Sequence, residues 1–391
     1  MFKKNIEKIY RKALKIHEKY KGKIEMKNKI KMKSLYDLSV LYTPGVAAPC
    51  LKIKDNNDLV YKYTNKGNTI AIVTDGSAVL GLGNIGAKAS IPVMEGKAFL
   101  FKKFGNIDAI PICLNTQDPD EIVSIIRNIS PVFGAINIED ISAPKCFYIE
   151  EQLKKNCNIP IFHDDQHGTA VVVLAALINS FKILKNKNFN NSSIVISGAG
   201  AAGIAITKLL LKFNVKNIIL CDKKGIIYNG RKEGMNFYKE KISKITNKNN
   251  LKGNLKDALK KSDIFIGVSA PNIVTGDMIK SMNKDPIILS LSNPIPEIMP
   301  NIAIDNGAKI VCTGMSNFPN QVNNVLAFPG ILRGVLDSKV KYIDYKIKIA
   351  ASFAIANSIK DKDLNEFNII PDPLKKNTSK NVAKKINELV N

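Results

Sequence analysis

Residues 193–213 read SIVISGAGAAGIAITKLLLKF. The stretch begins with a short, β-branched apolar run, which is typical of a buried strand. Three glycines follow at Gly198, Gly200 and Gly203, and apolar residues then continue through a helical segment. A strand, a glycine turn and a helix in this order predict a turn that binds the pyrophosphate of a dinucleotide.

Each glycine of this turn has its own physical role. Gly198 allows the tight turn, Gly200 lets the backbone approach a pyrophosphate, and Gly203 lets the helix pack closely on the strand. The N-terminus of the helix then faces the phosphates. Asp222 ends the next apolar run, where an acid that binds the ribose is expected. We therefore predict a Rossmann-type domain that binds NAD or NADP through Gly198, Ala199, Gly200, Ala201, Gly203 and Asp222.

The choice between NAD and NADP stays open in the sequence. Asp222 favours the free 2′-hydroxyl of NAD, because a carboxylate accepts hydrogen bonds from it. Lys223 and Lys224 follow directly and could neutralise the 2′-phosphate of NADP. The two alternatives are nearly even, with a slight preference for NADP.

Apolar runs that predict strands alternate with helical patterns along most of the chain. One of the helices is expected over 91–105, with Pro92 near its start and Gly105 after its end. Such alternation indicates an α/β protein with mostly parallel sheets. A length of 391 residues suits two domains, and the asparagine-rich stretch 185–193 is a candidate linker.

The overall charge is strongly positive, with a formal net charge of +24. A basic chain can indicate a nucleic-acid partner, but here the lysines are spread along the sequence with no arginine-rich tract. We therefore expect neither a nucleic-acid nor a membrane partner.

Residues 4–21 predict an amphipathic helix for a surface or subunit contact. The cysteines form no C-x-x-C pair, which fits a reducing cytoplasm; they are Cys50, Cys113, Cys146, Cys157, Cys221 and Cys312.

Two pairs of adjacent acids close two of the predicted strands. Glu139 and Asp140 follow one apolar run, and Asp164 and Asp165 follow another. One such pair is usually a solvated loop or a helix cap, but two pairs at strand ends favour a metal site, because ligands bind there in open α/β sheets. Oxygen ligands alone select Mg²⁺ or Mn²⁺ rather than zinc. His163 and His167 flank the second pair and are expected to be structural or to support the ligands.

Eight distinctive segments carry a resemblance to a known family. They occur in one order, and they are LYTPGVAAP (41–49), TDGSAVLGLGNIG (74–86), MEGKAFLFKKF (94–104), INIEDI (136–141), FHDDQHGTA (162–170), SGAGAAG (197–203), LSNPIPEI (291–298) and PNQVNNVLAFPG (319–330). With these segments the chain resembles the malic enzyme family, specifically its short bacterial type. The resemblance implies a cytoplasmic homodimer that oxidises and decarboxylates (S)-malate to pyruvate and CO₂ with NAD or NADP. It also implies a catalytic N-terminal domain over 1–164 and a Rossmann-type domain over 165–391, whose helices in 330–391 could pack back on the first domain.

The resemblance also implies roles for individual residues. Tyr42 matches the general acid, Lys97 the general base, and Asp164 the acid that pairs with the lysine. To accept a proton Lys97 must be neutral, so we expect its pKa to lie well below the usual value. Glu139, Asp140 and Asp165 match the ligands of Mg²⁺ or Mn²⁺. Asn293 and Asn324 match asparagines that contact the substrate carboxylate or the cofactor.

Two positions depart from patterns found in the family. Ala78 stands where larger members carry an arginine that binds a malate carboxylate, which leaves Ser77 and nearby backbone N–H groups as candidates for that contact. Met315 stands where many short members have a basic residue. The alternative to this family is a metal-independent Rossmann dehydrogenase of a small hydroxy or amino acid, which would leave both acid pairs unexplained.

Overall fold

The first sheet contains four strands that all run in the same direction. The computed structural model describes residues 2–79, 81–375 and 377–390. The strands are β1 (Thr69–Thr74), β2 (Asp108–Cys113), β3 (Ala135–Ile138) and β4 (Ile161–His163). They lie in the order β2-β1-β3-β4, and every neighbouring pair is parallel. The strands β1, β3 and β4 are buried throughout, so apolar residues face both sides of the sheet rather than one.

The second sheet has six strands and the topology of a dinucleotide-binding fold. They are β5 (Ser193–Ser197), β6 (Asn217–Asp222), β7 (Gly225–Ile226), β8 (Ile264–Gly267), β9 (Ile287–Ser290) and β10 (Ile310–Thr313). Their order is β10-β9-β8-β5-β6-β7, and only β7 runs antiparallel to its neighbour. The strands β6 and β8 flank β5 on opposite sides, so the strand order reverses at β5, where such sheets bind ligands. The prediction of an α/β fold with mostly parallel sheets is confirmed.

Helices cover both sheets. Those of the first half are α1 (Phe2–Tyr20), α2 (Leu35–Leu41), α3 (Ala47–Asp55), α4 (Val60–Tyr63), α5 (Gly86–Leu100), α6 (Pro119–Ile129), α7 (Lys145–Asn156) and α8 (Asp164–Ile183). Those of the second half are α9 (Ala201–Lys212), α10 (Phe237–Ser243), α11 (Leu255–Leu259), α12 (Gly276–Lys280), α13 (Pro300–Asp305), α14 (Phe328–Ser338), α15 (Tyr345–Ala356) and α16 (Asn377–Val390). Short 3-10 helices lie at Asn57–Leu59, Asn65–Asn68, Ser130–Val132, Asn324–Leu326 and Asp361–Asp363, and a π-helical turn lies at Phe101–Gly105.

The helix α5 begins earlier than the sequence predicts. Its first residue is Gly86, so Pro92 lies inside the helix rather than near its start. The predicted start of the helix was wrong because Pro92 was taken to mark the first turn. Proline lacks a backbone N–H and so removes one hydrogen bond from the helix interior, but here the helix continues through it. The C-terminal end lies close to the predicted one. A π-helical turn over Phe101–Gly105 continues α5, and Asn106 ends it in the left-handed backbone conformation.

The helix α8 connects the two halves of the molecule. It starts directly after β4, and most of its residues are buried, including a run from Ala170 to Ser180. It packs against α9 of the second half and against α15. Buried Asn179 fixes the latter contact, since its Nδ2 donates to the carbonyl oxygens of Ala356 and Ile369, each at 2.9 Å.

The C-terminal helices return to the first half of the chain. The ring of Phe328 on α14 lies 4.6 Å from the ring of Phe101. Arg333, also on α14, donates a hydrogen bond of 2.7 Å to Asn68, just before β1. The helix α14 also packs against α16, so residues beyond 330 contact elements on both sides of the chain's midpoint.

The N-terminal segment lies apart from this core. The helix predicted over 4–21 is observed as α1, and no described side chain of α1, α2 or α3 is buried. None of the helices within the described ranges is both long and apolar enough to cross a membrane.

Replacing Asn179 by alanine removes the two hydrogen bonds that link α8 to the C-terminal region. A buried polar group that loses its partner costs about 1–3 kcal/mol, so we expect the free energy of unfolding to fall by about 2 kcal/mol or more. Urea denaturation followed by circular dichroism measures this change. The control is Asn381→Ala, which removes only an exposed hydrogen bond to Ser358 and should change the free energy by less than about 0.5 kcal/mol. Equal effects of the two substitutions would contradict the assigned role of Asn179.

Candidate active site

The carboxyl ends of three neighbouring strands bring the predicted site residues to one edge of the first sheet. Ser77 follows β1, while Glu139 and Asp140 follow β3. Asp164 and Asp165 follow β4 and form the first turn of α8, where the partial positive charge of the helix N-terminus favours acids. Because the strands are parallel neighbours, the two acid pairs that are separated in sequence meet in space.

Lys97 lies at the centre of this edge. Its side chain is buried, and Nζ donates to Oε1 of Glu139 at 2.9 Å and to Oδ2 of Asp164. The ring centroid of Phe328 lies 3.8 Å from the same Nζ, close enough for a cation–π contact. Asn324 donates to Oδ2 of Asp164 at 3.2 Å. The site therefore joins residues from the first sheet, α5, α8 and the segment before α14.

The position of Asp164 depends on a glycine in the next turn of α8. A Cβ on Gly168 would collide with Oδ1 of Asp164. The missing side chain at position 168 leaves room for this carboxylate to fold over the helix and reach Lys97. The sequence shows this glycine within FHDDQHGTA, but only the structure shows that it accommodates an acid four residues earlier.

Three carboxylates form a cluster that could hold a metal ion. Glu139, Asp140 and Asp165 each offer an oxygen atom, and these atoms lie within 4.8 Å of one another. The backbone N–H of Asp140 donates to Oδ2 of Asp165 at 2.9 Å, and Nδ2 of Asn137 donates to Oε2 of Glu139 at 2.8 Å. A donor set of oxygen atoms alone fits Mg²⁺ or Mn²⁺.

Carboxylates outnumber ammonium groups at this edge of the sheet. Burial lowers the pKa of Lys97, but the attraction of Asp164 and Glu139 outweighs it, so the pKa lies above its usual value. The expectation of a lowered pKa is therefore not met by these protein groups alone, because two acids share this lysine. Burial also raises the pKa of Glu139, and repulsion from Asp165, Asp164 and Asp140 adds to it against the attraction of Lys97. Such an excess of carboxylates over ammonium groups is suited to a divalent cation.

The two flanking histidines have different surroundings. His163 is fully buried, and its Nδ1 lies 3.7 Å from Oδ2 of Asp165. His167 lies on another side of α8, where Nε2 is 2.6 Å from Oε1 of Glu150 and Nδ1 is 3.0 Å from Nζ of Lys348. Burial lowers the pKa of His167 to about 3, so the ring is neutral and serves in helix packing.

Ser77 holds two loops of the site together. Its Oγ accepts a hydrogen bond of 2.9 Å from the backbone N–H of Ser142, which follows the first acid pair. The N–H of Ala78 donates to the carbonyl oxygen of Asp140 at 2.9 Å. The loop after β1 is thereby fixed against the loop that carries Glu139 and Asp140.

Asn293 lies where loops from the two sheets approach each other. A Cβ on Gly314 would come within 2.5 Å of its Nδ2, and one on Gly81 would lie 3.9 Å from its carbonyl oxygen. Gly81 belongs to the glycine-rich loop after β1, and Gly314 follows β10. Met315 is buried next to Gly314, with its N–H 3.3 Å from Oγ1 of Thr313.

The glycine turn after β5 has the shape of a dinucleotide site. Gly198 has a φ of +112°, and a Cβ there would collide with the carbonyl oxygen of Val268. A Cβ on Gly203 would collide with the carbonyl oxygen of Gly198, whereas Gly200 faces open space. The open position at Gly200 is where a pyrophosphate would approach the backbone before α9.

Asp222 is already paired with two cations that the sequence did not reveal. Its carboxylate accepts bonds from Arg231 at 2.5 Å and Lys239 at 2.6 Å. Burial raises the pKa of Asp222, but the hydrogen bonds from Arg231 and Lys239 outweigh it and the pKa is lowered. Both cations lie well beyond the motif in sequence, so no spacing signal could have identified them.

Tyr42 lies outside this constellation. It ends α2, its N–H donates to the carbonyl oxygen of Leu38, and 67% of its surface is exposed. Across the part of the chain that the structure describes, the Tyr42 hydroxyl has no hydrogen-bond partner. The fold of one chain thus brings together Lys97, Asp164, Asn324 and the three-acid cluster, but it leaves Tyr42 on the surface.

Comparison with known proteins gives this arrangement a family. The family model "Malic enzyme, N-terminal domain" matches residues 19–154, and the model "Malic enzyme, NAD binding domain" matches residues 166–390. The chain belongs to the malic enzyme family. These two matches confirm the resemblance seen in the sequence.

Individual malic enzymes are similar along nearly the whole chain. The bifunctional malic/malolactic enzyme of Bacillus subtilis (strain 168) is 52% identical over 96% of this chain and 91% of its own length. The NAD-dependent malic enzyme of Geobacillus stearothermophilus is 51% identical over 90% of this chain and 73% of its own. The crystal structure of the NAD-dependent malic enzyme from Thermotoga maritima has a TM-score of 0.93 at 46% identity, covering 96% of this chain and 98% of that one.

Replacing Gly168 by alanine should displace the Asp164 carboxylate from Lys97. Misplacing a catalytic group by about 1 Å can cost about a hundredfold in rate, so we expect kcat for malate oxidation to fall by about that factor. Turnover is followed by the absorbance of the reduced nicotinamide, and circular dichroism checks the fold.

The control for this substitution is Gly96→Ala on α5. Gly96 is also a helical glycine, but a Cβ there meets only Nζ of Lys23, at 3.8 Å, so activity should be retained. Full activity of Gly168→Ala would show that Asp164 does not need its observed position.

Proposed function

We propose that this malic enzyme oxidises (S)-malate and decarboxylates it to pyruvate and CO₂ while reducing NAD⁺ or NADP⁺. The main support is the position of the Lys97–Asp164 ion pair beside the cluster of Glu139, Asp140 and Asp165. A hydroxy acid that binds there has a base for its hydroxyl group and oxygen ligands for a metal on the same side. A metal-independent dehydrogenase would have no use for this concentration of carboxylates.

We propose that Glu139, Asp140 and Asp165 hold Mg²⁺ or Mn²⁺. When bound, such an ion would polarise the C2 oxygen and stabilise negative charge as CO₂ departs. Asn137 orients Glu139 through its hydrogen bond, and the N–H of Asp140 orients Asp165. These contacts support the cluster from within the protein.

The proton chemistry is assigned to Lys97 and Tyr42. Lys97, in its neutral form, accepts the proton of the C2 hydroxyl, and Asp164 orients the amine. Tyr42 then donates its phenolic proton to C3 of the enolate, and a new C–H bond forms as the O–H bond breaks. The phenolate regains a proton from the Lys97 ammonium, so the methyl group of pyruvate carries the former phenolic proton and the hydroxyl proton of malate ends on Tyr42. Both residues finish in their starting state.

The cofactor is assigned to the turn formed by Gly198, Gly200 and Gly203, and when bound it would supply the acceptor for the hydride of C2. Whether the ribose carries a 2′-phosphate is decided around Asp222. Arg231 and Lys239 beside it add positive charge to that of Lys223 and Lys224, which supports the slight preference for NADP. Asn293 and Asn324 are assigned to the substrate carboxylate or the cofactor, and Ser77 with nearby backbone N–H groups to the second carboxylate.

We propose the division into a catalytic domain over 1–164 and a cofactor domain over 165–391. Support for the boundary comes from α8, which begins at Asp164 and leads from the first sheet to the second. The hydrogen bond from Arg333 to Asn68 supports the packing of helices from 330–391 against the first domain. We also propose a cytoplasmic homodimer, with malate and pyruvate rather than nucleic acid or membrane as partners.

The proposed reaction is tested with the purified protein, (S)-malate and Mn²⁺, with NAD⁺ and NADP⁺ assayed separately. We expect reduced cofactor and pyruvate to form in equal amounts, and excess EDTA to abolish both. Lys97→Ala should lower kcat by about a hundredfold or more, because general base catalysis contributes about that much. Lys103→Ala, on the exposed surface next to the same helix, is the control with unchanged turnover. No turnover with either cofactor would overturn the proposal.

The adjacent acids Asp164 and Asp165 should have separable effects. Asp165→Ala removes one member of the three-acid cluster and should weaken Mn²⁺ binding by at least about tenfold, since an oxygen ligand is lost. Asp164→Ala should leave Mn²⁺ binding within a few-fold of the wild type and mainly lower kcat. Isothermal titration with Mn²⁺ and steady-state kinetics measure the two effects, with exposed Asp361→Ala as the control. Equal loss of Mn²⁺ affinity in both variants would contradict the division of roles.

A further inference from the structure

A cavity of about 220 Å³ lies between the two halves of the molecule. Its walls come from α7, β4 and α8 on one side and from α9 and the start of α15 on the other. In the described part of the chain, none of the residues assigned to malate oxidation lines it. Gln166 and His167 line it from the same turn of α8 that supplies Asp164 and Asp165. A ligand in this cavity would therefore contact the helix that carries two acids of the active site.

The acid that is buried in the wall of the cavity already has its partners. Oε1 of Glu150 lies 2.6 Å from Nζ of Lys154 and 2.6 Å from Nε2 of His167. Because an ionised carboxylate only accepts hydrogen bonds, Nε2 of the neutral ring carries the proton. The other two acids of the wall, Glu151 and Asp344, are exposed to solvent. The negative charge inside the cavity is therefore offset by Lys154.

Two other lysines of the wall have no carboxylate partner. Lys348 is only 4% exposed, and its Nζ donates to Nδ1 of His167 at 3.0 Å, since that ring nitrogen carries no proton. Lys208 is half-buried on α9 and forms neither a hydrogen bond nor an ion pair with any residue that the structure describes. A buried ammonium group without a counterion is costly, so both lysines would gain from a negative charge placed between them.

The pKa values of the two lysines agree with this geometry. Burial lowers the pKa of Lys348 to about 7, and repulsion from Lys154 and Lys208 adds to the effect of burial against the attraction of Glu150 and Asp344. Burial also lowers the pKa of Lys208. The protein thus stabilises neither ammonium group fully, whereas a bound anion would favour the charged form of both.

We propose that this cavity binds a small tetrahedral oxyanion of the phosphate type between Lys208 and Lys348. Two ammonium groups match a phosphate group, which carries a charge of about −1.5 to −2 at neutral pH. Apolar side chains of Ile159, Leu209 and Ile343 also line the cavity, which leaves room for the uncharged body of an organic phosphate. The site is separate from the proposed reaction and does not depend on it.

The three histidines of the chain permit a position-specific test. His167 lines the cavity, His163 lies 3.7 Å from Asp165 in the active site, and His17 lies on α1. The protein is labelled with ¹³C at Cε1 of histidine, and each NMR signal is assigned with a single substitution by glutamine. Inorganic phosphate and glycerol phosphate are then titrated separately, at constant pH and constant ionic strength.

We expect the signal of His167 to shift and to saturate at millimolar phosphate or below, while the signals of His163 and His17 stay in place. The phosphate that binds more tightly identifies whether the free anion or an organic phosphate is the ligand. A saturating shift of His163 without one of His167 would place the anion in the active site and overturn the proposal. The absence of any saturating shift of His167 would also overturn it.

Substitutions of the two lysines test their contribution to binding. Lys208→Met should raise the Kd for phosphate by at least about tenfold, because a hydrogen bond to a charged group is lost. Lys348→Met should have the same effect, and circular dichroism checks that this buried substitution leaves the fold intact. The controls are Lys216→Met and Lys346→Met, which remove the same charge from exposed positions just after α9 and on α15.

The control variants should keep the Kd within about twofold of the wild type, because solvent and salt screen exposed charges. Equal weakening in the controls and in the cavity variants would reveal a general effect of charge and overturn the proposed site. Failure of the proposed reaction would change none of these results, since the titrations contain neither malate nor a nicotinamide cofactor.

Discussion

The common direction of β1, β3 and β4 is the constraint on which the site depends. Parallel neighbours end at the same edge of a sheet, so residues that follow these strands meet although they are far apart in the chain. Glu139 and Asp140 arrive from one strand, and Asp164 and Asp165 from the next. If β3 and β4 were antiparallel, their carboxyl ends would lie at opposite edges of the sheet, and the two acid pairs would be about one strand length apart. The chemistry of the first half is thus a consequence of its topology.

The helix α8 connects the site at the edge of the first sheet to the second half of the chain. Its first turn supplies two acids of the site, and its buried middle packs against α9 and α15. Asn179 fixes the C-terminal region to it, and that region contributes Phe328 and Asn324 to the surroundings of Lys97. The residues around the lysine therefore come from both ends of the chain. The helix α8 contacts both the strand β4 and the turn that carries Asn324.

The strands, the glycine turn and the position of the acid pairs could be predicted from the sequence, because each depends on a local pattern of residues. The β-branched runs gave the strands, the glycine spacing gave the turn before α9, and the acid pairs marked the strand ends that lie together. The assignment to the malic enzyme family rested on long segments and is confirmed, whereas the individual catalytic and ligand roles stay predictions. Contacts between residues that are far apart in the chain could not be predicted from the sequence. The pairing of Asp222 with Arg231 and Lys239, and the exposure of Tyr42, depend on tertiary packing that no spacing encodes.

The concentration of acids around Lys97 has a consequence for the stability of the whole molecule. Several carboxylates held close together repel one another, and folding brings them into this position while unfolding separates them. A cation that binds only the folded arrangement stabilises it by a free energy that grows with the logarithm of the cation concentration and reaches about 2.7 kcal/mol at about a hundred times its Kd. If the cluster holds a divalent ion, the resistance of the chain to heat would follow the supply of free ions around it. The groups suited to turning over substrate would then also couple the lifetime of the protein to the mineral composition of its surroundings.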